Sequence, residues 1–237
     1  MEISVAWEGI LPIDKPKGQT AFSLVRRLRK LLNVRKIGHS GTLDPFATGV
    51  MIMLIGKKYT QHSDLFLNSD KEYLGRICLG IATNTFDCEG EETERSPIIP
   101  KLSDLNNVLE KFQGTLEQIP PMFSAKKIAG KKLYQYARQG VTVERKPATV
   151  SVQTEMISYA YPYLDIKVKC TKGTYIRSLA NDIGSELGCG GHLLSLQRIR
   201  SGNICLKDCL DGSGLFETNF NLLSINEYLY AGTLQNF

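Results

Sequence analysis

The chain has 237 residues, 42% of them hydrophobic and 22% charged, which is long enough and apolar enough for a globular core and excludes a disordered or fibrous chain. No apolar run reaches the length of a membrane span, and the opening MEISVAWEGILPIDKPKG has neither a basic n-region nor a long apolar h-region, so no secretory signal is expected. The net charge of +5 says little by itself, but its distribution is uneven: Arg26, Arg27, Arg29, Lys30, Arg35 and Lys36 form one cluster, and Lys126, Lys127, Lys131, Lys132, Arg138, Arg145 and Lys146 form another.

In chain order, EGILPI (8–13) reads as a short strand and DKPKGQT as a turn punctuated by Pro16 and Gly18. Thr20 can cap a helix over about 21–33, with Phe22, Val25, Leu28, Leu31 and Leu32 on one face. VMIMLI (50–55) is a continuous apolar run of strand length, suited to a strand covered on both faces. DKEYLGRICLGIAT (70–83) reads as one strand, and the acidic FDCEGEETERSPIIP as an exposed loop. Residues 103–113 come next as a helix capped by Ser103, with Leu105, Val108, Leu109 and Phe112 at helical spacing. QIPPMFSAKKIAGKKLYQYARQG is rich in Lys, Arg and Tyr, with a short helical piece between Gly130 and Gly140, and reads as an excursion from the core. PATVSVQTEM (147–156) and YLDIKVKC (163–170) are strands, the second alternating Leu164, Ile166, Val168 and Cys170. Ile176, Leu179, Ile183 and Leu187 mark a helix that Gly188 ends, LLSLQRIRSGNICL is a last core strand, and the final thirty residues read as a small helical tail. Strands and helices without a regular βαβ rhythm predict an α+β fold with a mixed or antiparallel sheet.

Six cysteines, Cys78, Cys88, Cys170, Cys189, Cys205 and Cys209, contain no C-x-x-C pair. Free thiols in a reducing, cytoplasmic setting are expected, with no metal and no cofactor. Cys205 and Cys209 share helical spacing, yet two thiols do not complete a tetrahedral site.

The stretch KIGHSGTLDPFATGVMIMLIG (36–56) carries the chemistry. An Asp-Pro pair commonly serves as an ordinary turn, its carboxylate bonding local amides. Here Gly38, Gly41 and Gly49 allow close backbone approach, Pro45 stiffens Asp44, and the apolar strand behind anchors the loop to the core. Rigid placement suits a nucleophile or base. Ser40, His39 and Asp44 are too close in sequence to form a relay, and GKKYT (56–60) lacks the glycine spacing of a phosphate loop. In KGTYIRS (172–178), Arg177 can pair with a distant carboxylate and keep it ionised, with Tyr175 beside it. Tyr73 reads as a half-buried strand residue or as a stacking platform for a base.

GHSGTLDPFATGV resembles the catalytic motif of the TruB family of tRNA pseudouridine synthases, written G-H-x-G-x-L-D-P-x-A-x-G, with Ser40 and Thr42 at variable positions. DKPKGQT, SDKEYLGRICLG, PPMFSAKKIAGKKLYQYARQG and CTKGTYIRSLANDIGSELGCGGHLLSLQR resemble four further blocks of that family, in the family's order from about residue 10 to residue 200. The resemblance implies a pseudouridine synthase fold: a catalytic domain over 1–205, an RNA-contacting thumb inserted at about 120–147, and a tail at 206–237 too short for the PUA domain of longer members. It implies that Asp44 is the nucleophile, that Arg177 pairs with it, and that Tyr73 stacks on the target uracil. It further implies that Tyr175 and Leu196 line the pocket, that His39 shapes the T-loop, and that Lys15 and Lys127 are structural or RNA-facing.

The implied activity is isomerisation of uridine 55 in the T stem-loop of tRNA by a monomer, without a protein partner or membrane. It requires a base flipped from its stack, a carboxylate, and acid–base help at C5, with attack on ribose, attack on base and proton abstraction from the sugar all open for Asp44. A guide-RNA-dependent relative and a non-catalytic RNA-binding or tRNA-folding protein of the same fold are the rival readings.

Overall fold

A computed structural model of the chain describes residues 7–232; the first six residues of the opening stretch and the last five of the tail lie outside them. The chain runs β1 (Gly9–Lys15), α1 (Ala21–Leu32), β2 (Ile37–Ser40), β3 (Thr48–Ile55), α2 (Lys57–Thr60), α3 (Ser63–Asn68) and β4 (Lys71–Leu79). It continues through β5 (Ile81–Thr83), β6 (Glu92–Arg95), α4 (Leu102–Lys111), β7 (Gly114–Gln118), β8 (Lys127–Ile128), β9 (Lys131–Lys132) and α5 (Leu133–Ala137). The last elements are β10 (Ala148–Ala160), β11 (Tyr163–Cys170), α6 (Ile176–Glu186), β12 (Gly191–Ser201), β13 (Ile204–Cys205) and β14 (Leu210–Asp211). Two compact units result: Met1–Tyr73 with Gln197–Phe237, and Leu74–Leu196. Strands mixed with flanking helices make this an α+β chain. Among the described residues, no helix is long and apolar enough to cross a membrane.

In the first unit β3 is the central strand, and Val50–Ile55 are buried throughout, as the unbroken apolar run requires. One edge of β3 pairs antiparallel with β1 from Gly9↔Ile55 to Lys15↔Gly49. Ile52–Ile55 also pair antiparallel with β2, while Thr48 and Gly49 pair parallel with Gln197 and Arg198 of β12. The 41–47 loop therefore sits where β3 changes partner from β2 to β12. Val50, Ile52 and Leu54 pack with Ile10, Tyr59, Phe66, Ile204 and Cys209. Beyond β1, β14 pairs in parallel (Asp14↔Asp211) and Tyr230 bridges Ile10, so the sheet is mixed and its edge is covered. α1 is capped by Thr20 as expected, its Oγ1 accepting from Ser23 N at 3.0 Å, and buries Leu24, Val25, Leu28 and Leu32. Phe22, placed on the inner face by periodicity, is instead exposed.

In the second unit β10 pairs antiparallel with both β7 and β11, and Leu164, Ile166, Val168 and Cys170 are buried in alternation. The strand expected over 70–83 is broken at Gly80, whose φ of +88° and contact with Gly190 O turn the chain. β5 then forms a hairpin with β6, inside the segment read as loop. α4 is capped by Lys101: its N–H donates to the Asp104 carboxylate at 3.2 Å, and the expected cap Ser103 lies inside the helix. The tail of the first unit, expected to be small and helical, contains β14 and short 3₁₀ helices (Gly214–Phe216, Leu222–Glu227).

Candidate active site

Asp44 and Pro45 occupy the loop between β2 and β3, and the loop is clamped from β1. Asp44 is half-buried and its carbonyl accepts from Ala47 N at 3.1 Å, closing a turn. Pro45 O accepts from Gly18 N at 2.7 Å and from Lys15 Nζ at 3.2 Å. Lys15 is fully buried, and the same ammonium donates to Pro16 O and Gln19 O at 3.0 and 2.7 Å. One cation thus ties the DKPKG turn to the Asp-Pro turn. Asp14, its neighbour on β1, holds the other end: its Oδ1 accepts from Gly49 N at 3.0 Å. Burial pushes the Asp14 carboxyl above the usual range and nearby Asp211 adds to this, while the Gly49 N–H and Lys15 oppose it.

Arg198 supports the loop from below. It is buried, its Nε donates to Val50 O at 2.6 Å, and its Nη1 lies 3.5 Å from where a Cβ on Gly41 would stand. His39, on β2, meets Gly41 O at 2.7 Å through Nδ1. A carbonyl only accepts, so Nδ1 carries the proton and Nε2 is left as the acceptor of the neutral ring.

Tyr73, also in the first unit, is buried and stands directly after three anchored residues. Asp70 pairs with Arg200 at 2.7 Å, and Glu72 with the same guanidinium at 2.9 Å. Lys71 caps α3 through the carbonyls of Phe66, Leu67 and Ser69 at 3.1, 2.8 and 2.5 Å.

In the second unit, Arg177 stands in the first turn of α6 and is buried. It donates to Thr85 O at 2.9 Å and Phe123 O at 2.7 Å, and its Nη1 lies 3.3 Å from Asp87 Oδ2. Asp87 is fixed in turn: its Oδ1 accepts from Thr85 Oγ1 at 2.6 Å and Glu89 N at 3.0 Å. Tyr175 caps α6, and Gln118 grips its backbone at both ends, accepting from its N–H at 2.7 Å and donating to its carbonyl at 3.0 Å. Leu196 is buried, 3.8 Å from where a Cβ on Gly75 would stand. Lys127 is exposed on the β8–β9 hairpin. There Lys131 lies over Tyr136 at 4.5 Å and Arg138 over Tyr134 at 5.4 Å, and Arg145 Nη1 donates to Pro120 O at 3.2 Å across the base of the insertion.

The structure thus gathers Lys15 against the loop of Asp44 and His39 in one unit, and groups Arg177 with Asp87 and Tyr175 with Gln118 in the other. Sequence reasoning missed Asp14, Asp87, Gln118 and Arg198. For Asp14 a signal existed, since it opens the DKPKG turn; the others have partners about 55 to 150 positions away and carry no local signature.

Residues 29–176 match the family model described as TruB family pseudouridylate synthase (N terminal domain), and residues 177–214 match the tRNA pseudouridylate synthase B C-terminal domain. A curated relative from Protochlamydia amoebophila (strain UWE25), named tRNA pseudouridine synthase B, is 60% identical over 87% of this chain and 79% of its own length. One of the same name from Chlamydia muridarum (strain MoPn / Nigg) is 54% identical over 91% of this chain and 89% of its own. Among solved structures, a chain of a Cbf5-Nop10-Gar1 complex matches with a TM-score of 0.68 at 28% identity, covering 87% of this chain and 53% of that one. A chain of an H/ACA RNP bound to a substrate RNA containing 2′-deoxyuridine matches with a TM-score of 0.64 at 26% identity, over 89% of this chain and 52% of that one. This chain spans about half the length of those solved relatives. Both family models and the curated relatives agree: the chain belongs to the TruB family of pseudouridylate synthases, which are isomerases.

Proposed function

We propose that this protein isomerises uridine 55 in the T-loop of tRNA to pseudouridine, with Asp44 as the nucleophile. The observation that carries the reading is the two-sided clamp on the Asp44 loop, Lys15 on Pro45 O and Asp14 on Gly49 N. A carboxylate used only as a turn residue has no need of a buried ammonium and a half-buried carboxylate on its flanks. Preorganisation of this kind removes the entropic cost of bringing a catalytic group to its target.

The reaction breaks the bond from uracil N1 to the ribose, turns the base, joins C5 to the same carbon and moves the C5 proton, so it gains and loses no atoms. The target base leaves its stack at a cost of a few kcal/mol. Tyr73 offsets part of that by stacking, worth about 1–3 kcal/mol per base. Arg177, itself fixed by Asp87, is the cation that keeps the nucleophile ionised. Tyr175 and Leu196 contribute apolar walls that retain the freed uracil, and His39 Nε2 accepts from the displaced loop nucleotides. Lys127 and the basic insertion contact phosphates. The protein acts as a cytoplasmic monomer with no protein partner.

The test is tritium release from tRNA labelled at uracil C5. Asp44→Asn is expected to release none while binding tRNA within about twofold of wild type; sustained release by this variant overturns the assignment.

A further inference from the structure

Between Ala21 and Leu32, α1 carries four cations, Arg26, Arg27, Arg29 and Lys30, and no carboxylate. Two of them serve the fold. Arg27 donates to the carbonyls of Leu215 and Glu217, and Arg29 to that of Ile37. The other two, Arg26 and Lys30, stand at i+4 and i+8 from Phe22, and all three are exposed on one stripe about 12 Å long. Phe22 is 57% exposed and the Arg26 guanidinium lies 5.4 Å from its ring centroid. The inner stripe of Leu24, Val25, Leu28 and Leu32 already attaches the helix to the core, so the ring adds nothing there. An aromatic face left in water beside two uncommitted cations matches a nucleic-acid strand, which offers stacking bases and phosphates together.

The face also has a fixed place relative to the catalytic loop. Gly18 N is bonded to Pro45 O at 2.7 Å, and Phe22 is four positions on from Gly18, a reach of at most about 14 Å. Exposed Lys17 adjoins Gly18, and exposed Arg35 and Lys36 continue the positive charge beyond the helix. Resting on the assignment of Asp44 as nucleophile, we infer that Phe22, Arg26 and Lys30 form an RNA-binding surface. It takes the strand that adjoins the flipped uridine: the ring packs on a base or sugar and the two cations pair with successive phosphates.

The experiment measures binding of a labelled T stem-loop RNA by fluorescence anisotropy at several KCl concentrations, for wild type, Phe22→Ala, Arg26→Gln and Lys30→Gln. All three side chains are exposed, so thermal unfolding is expected to match wild type. Each charge variant is expected to flatten the slope of log Kd against log salt by about 0.7–0.9. Phe22→Ala is expected to weaken binding about fivefold or more with the slope unchanged. Affinities within twofold and slopes equal to wild type in all three variants overturn the inference and leave the stripe a solvated helix face. Binding is read without chemistry, so residual turnover by Asp44→Asn, measured in parallel, would sink the nucleophile assignment while leaving this result intact.

Discussion

Arg177 Nη1 lies 3.3 Å from Asp87 Oδ2, and both side chains are buried. The guanidinium is thereby fixed by three groups of its own unit, the Asp87 carboxylate and the carbonyls of Thr85 and Phe123. Asp87 holds Arg177 in place, and under the proposed function that makes it a positioning residue. Asp87→Ala breaks a buried ion pair by removing one partner, which costs about 3–5 kcal/mol of stability. Asp87→Asn retains an acceptor for Thr85 Oγ1 and Glu89 N, so it is expected to fold nearer to wild type. Its single-turnover rate is expected to fall about a hundredfold, the cost of a small misplacement of a catalytic group. Urea titration and rapid-quench measurement of both variants separate the two effects; a normal rate in Asp87→Asn removes the positioning role.

Lys15 gives a sharper structural prediction. Its ammonium serves three carbonyls of two different turns, and hydrogen bonds to charged groups contribute about 1.5–3 kcal/mol each before losses elsewhere. Lys15→Met keeps the buried stem and removes every donor. It is expected to lower stability by about 2–4 kcal/mol and to slow turnover more than it weakens tRNA binding. Lys15→Arg is not expected to rescue, because a planar fork does not reproduce the three directions of an ammonium. Equal losses in turnover and binding would show that Lys15 touches RNA instead of holding the loop.

Asp14 makes a pH prediction whose sign is set by burial. Its folded pKa is raised, so between the unfolded value of 3.8 and the folded value the native state binds more protons than the unfolded chain. Its contribution is therefore fully present below the unfolded value and is lost as pH rises through the folded one. Asp14→Asn keeps an oxygen to accept from Gly49 N and removes the partly buried charge. The difference in urea midpoint between wild type and Asp14→Asn is expected to favour the variant at neutral pH and to shrink as pH falls towards 3.8. Asp14→Leu, which leaves Gly49 N without an acceptor, is expected to lose about 1–3 kcal/mol at every pH. A difference that does not change with pH would show that partial burial does not raise the Asp14 carboxyl.

Gly49 closes the clamp. A Cβ there would stand 2.6 Å from the backbone nitrogen of Arg198 and closer still to its carbonyl oxygen, and φ is +105°. Gly49→Ala has to move β12 off β3, at a cost of about 2–5 kcal/mol from overpacking and backbone strain together. A thermal melt within a degree of wild type would show that the two strands yield easily.

How far the sequence reveals these features depends on range. α1 is legible because its cap, Thr20, and its buried stripe lie within one segment, and β3 because an apolar run of strand length suits burial on both faces. Phe22 escapes the pattern: it matches the helical period well enough to read as core, yet only the packed structure decides which edge of the stripe meets water. The β5–β6 hairpin is hidden because all four residues of β6 are exposed and polar, so backbone pairing alone defines the strand. Ser103 loses the cap of α4 to a pairing between the Asp104 carboxylate and the Lys101 amide, which starts the helix two residues earlier. Asp44, Lys15 and Arg177 are visible as motif residues. Their supports, Asp87 for Arg177 and Arg198 beneath Gly41, are assembled by topology and leave no local trace.

The cysteines test the burial pattern independently of catalysis. Cys88 is exposed and Cys205 intermediate, whereas Cys78, Cys170, Cys189 and Cys209 are buried. Burial, together with the charges of Asp14 and Asp208, pushes the Cys209 thiol up to about 12, so at pH 8 it holds almost no thiolate, the reactive form. Burial likewise raises Cys78 and Cys189. With a disulfide-exchange reagent at pH 8, Cys88 is expected to react first and Cys205 more slowly, while the other four wait for unfolding. In urea all six are expected to react at similar rates. Peptide mapping after a short native pulse identifies the labelled positions. Early labelling of Cys209 would mean that the packing of Ile10, Val50 and Ile204 around it opens readily, and with it the core that carries the Asp44 loop.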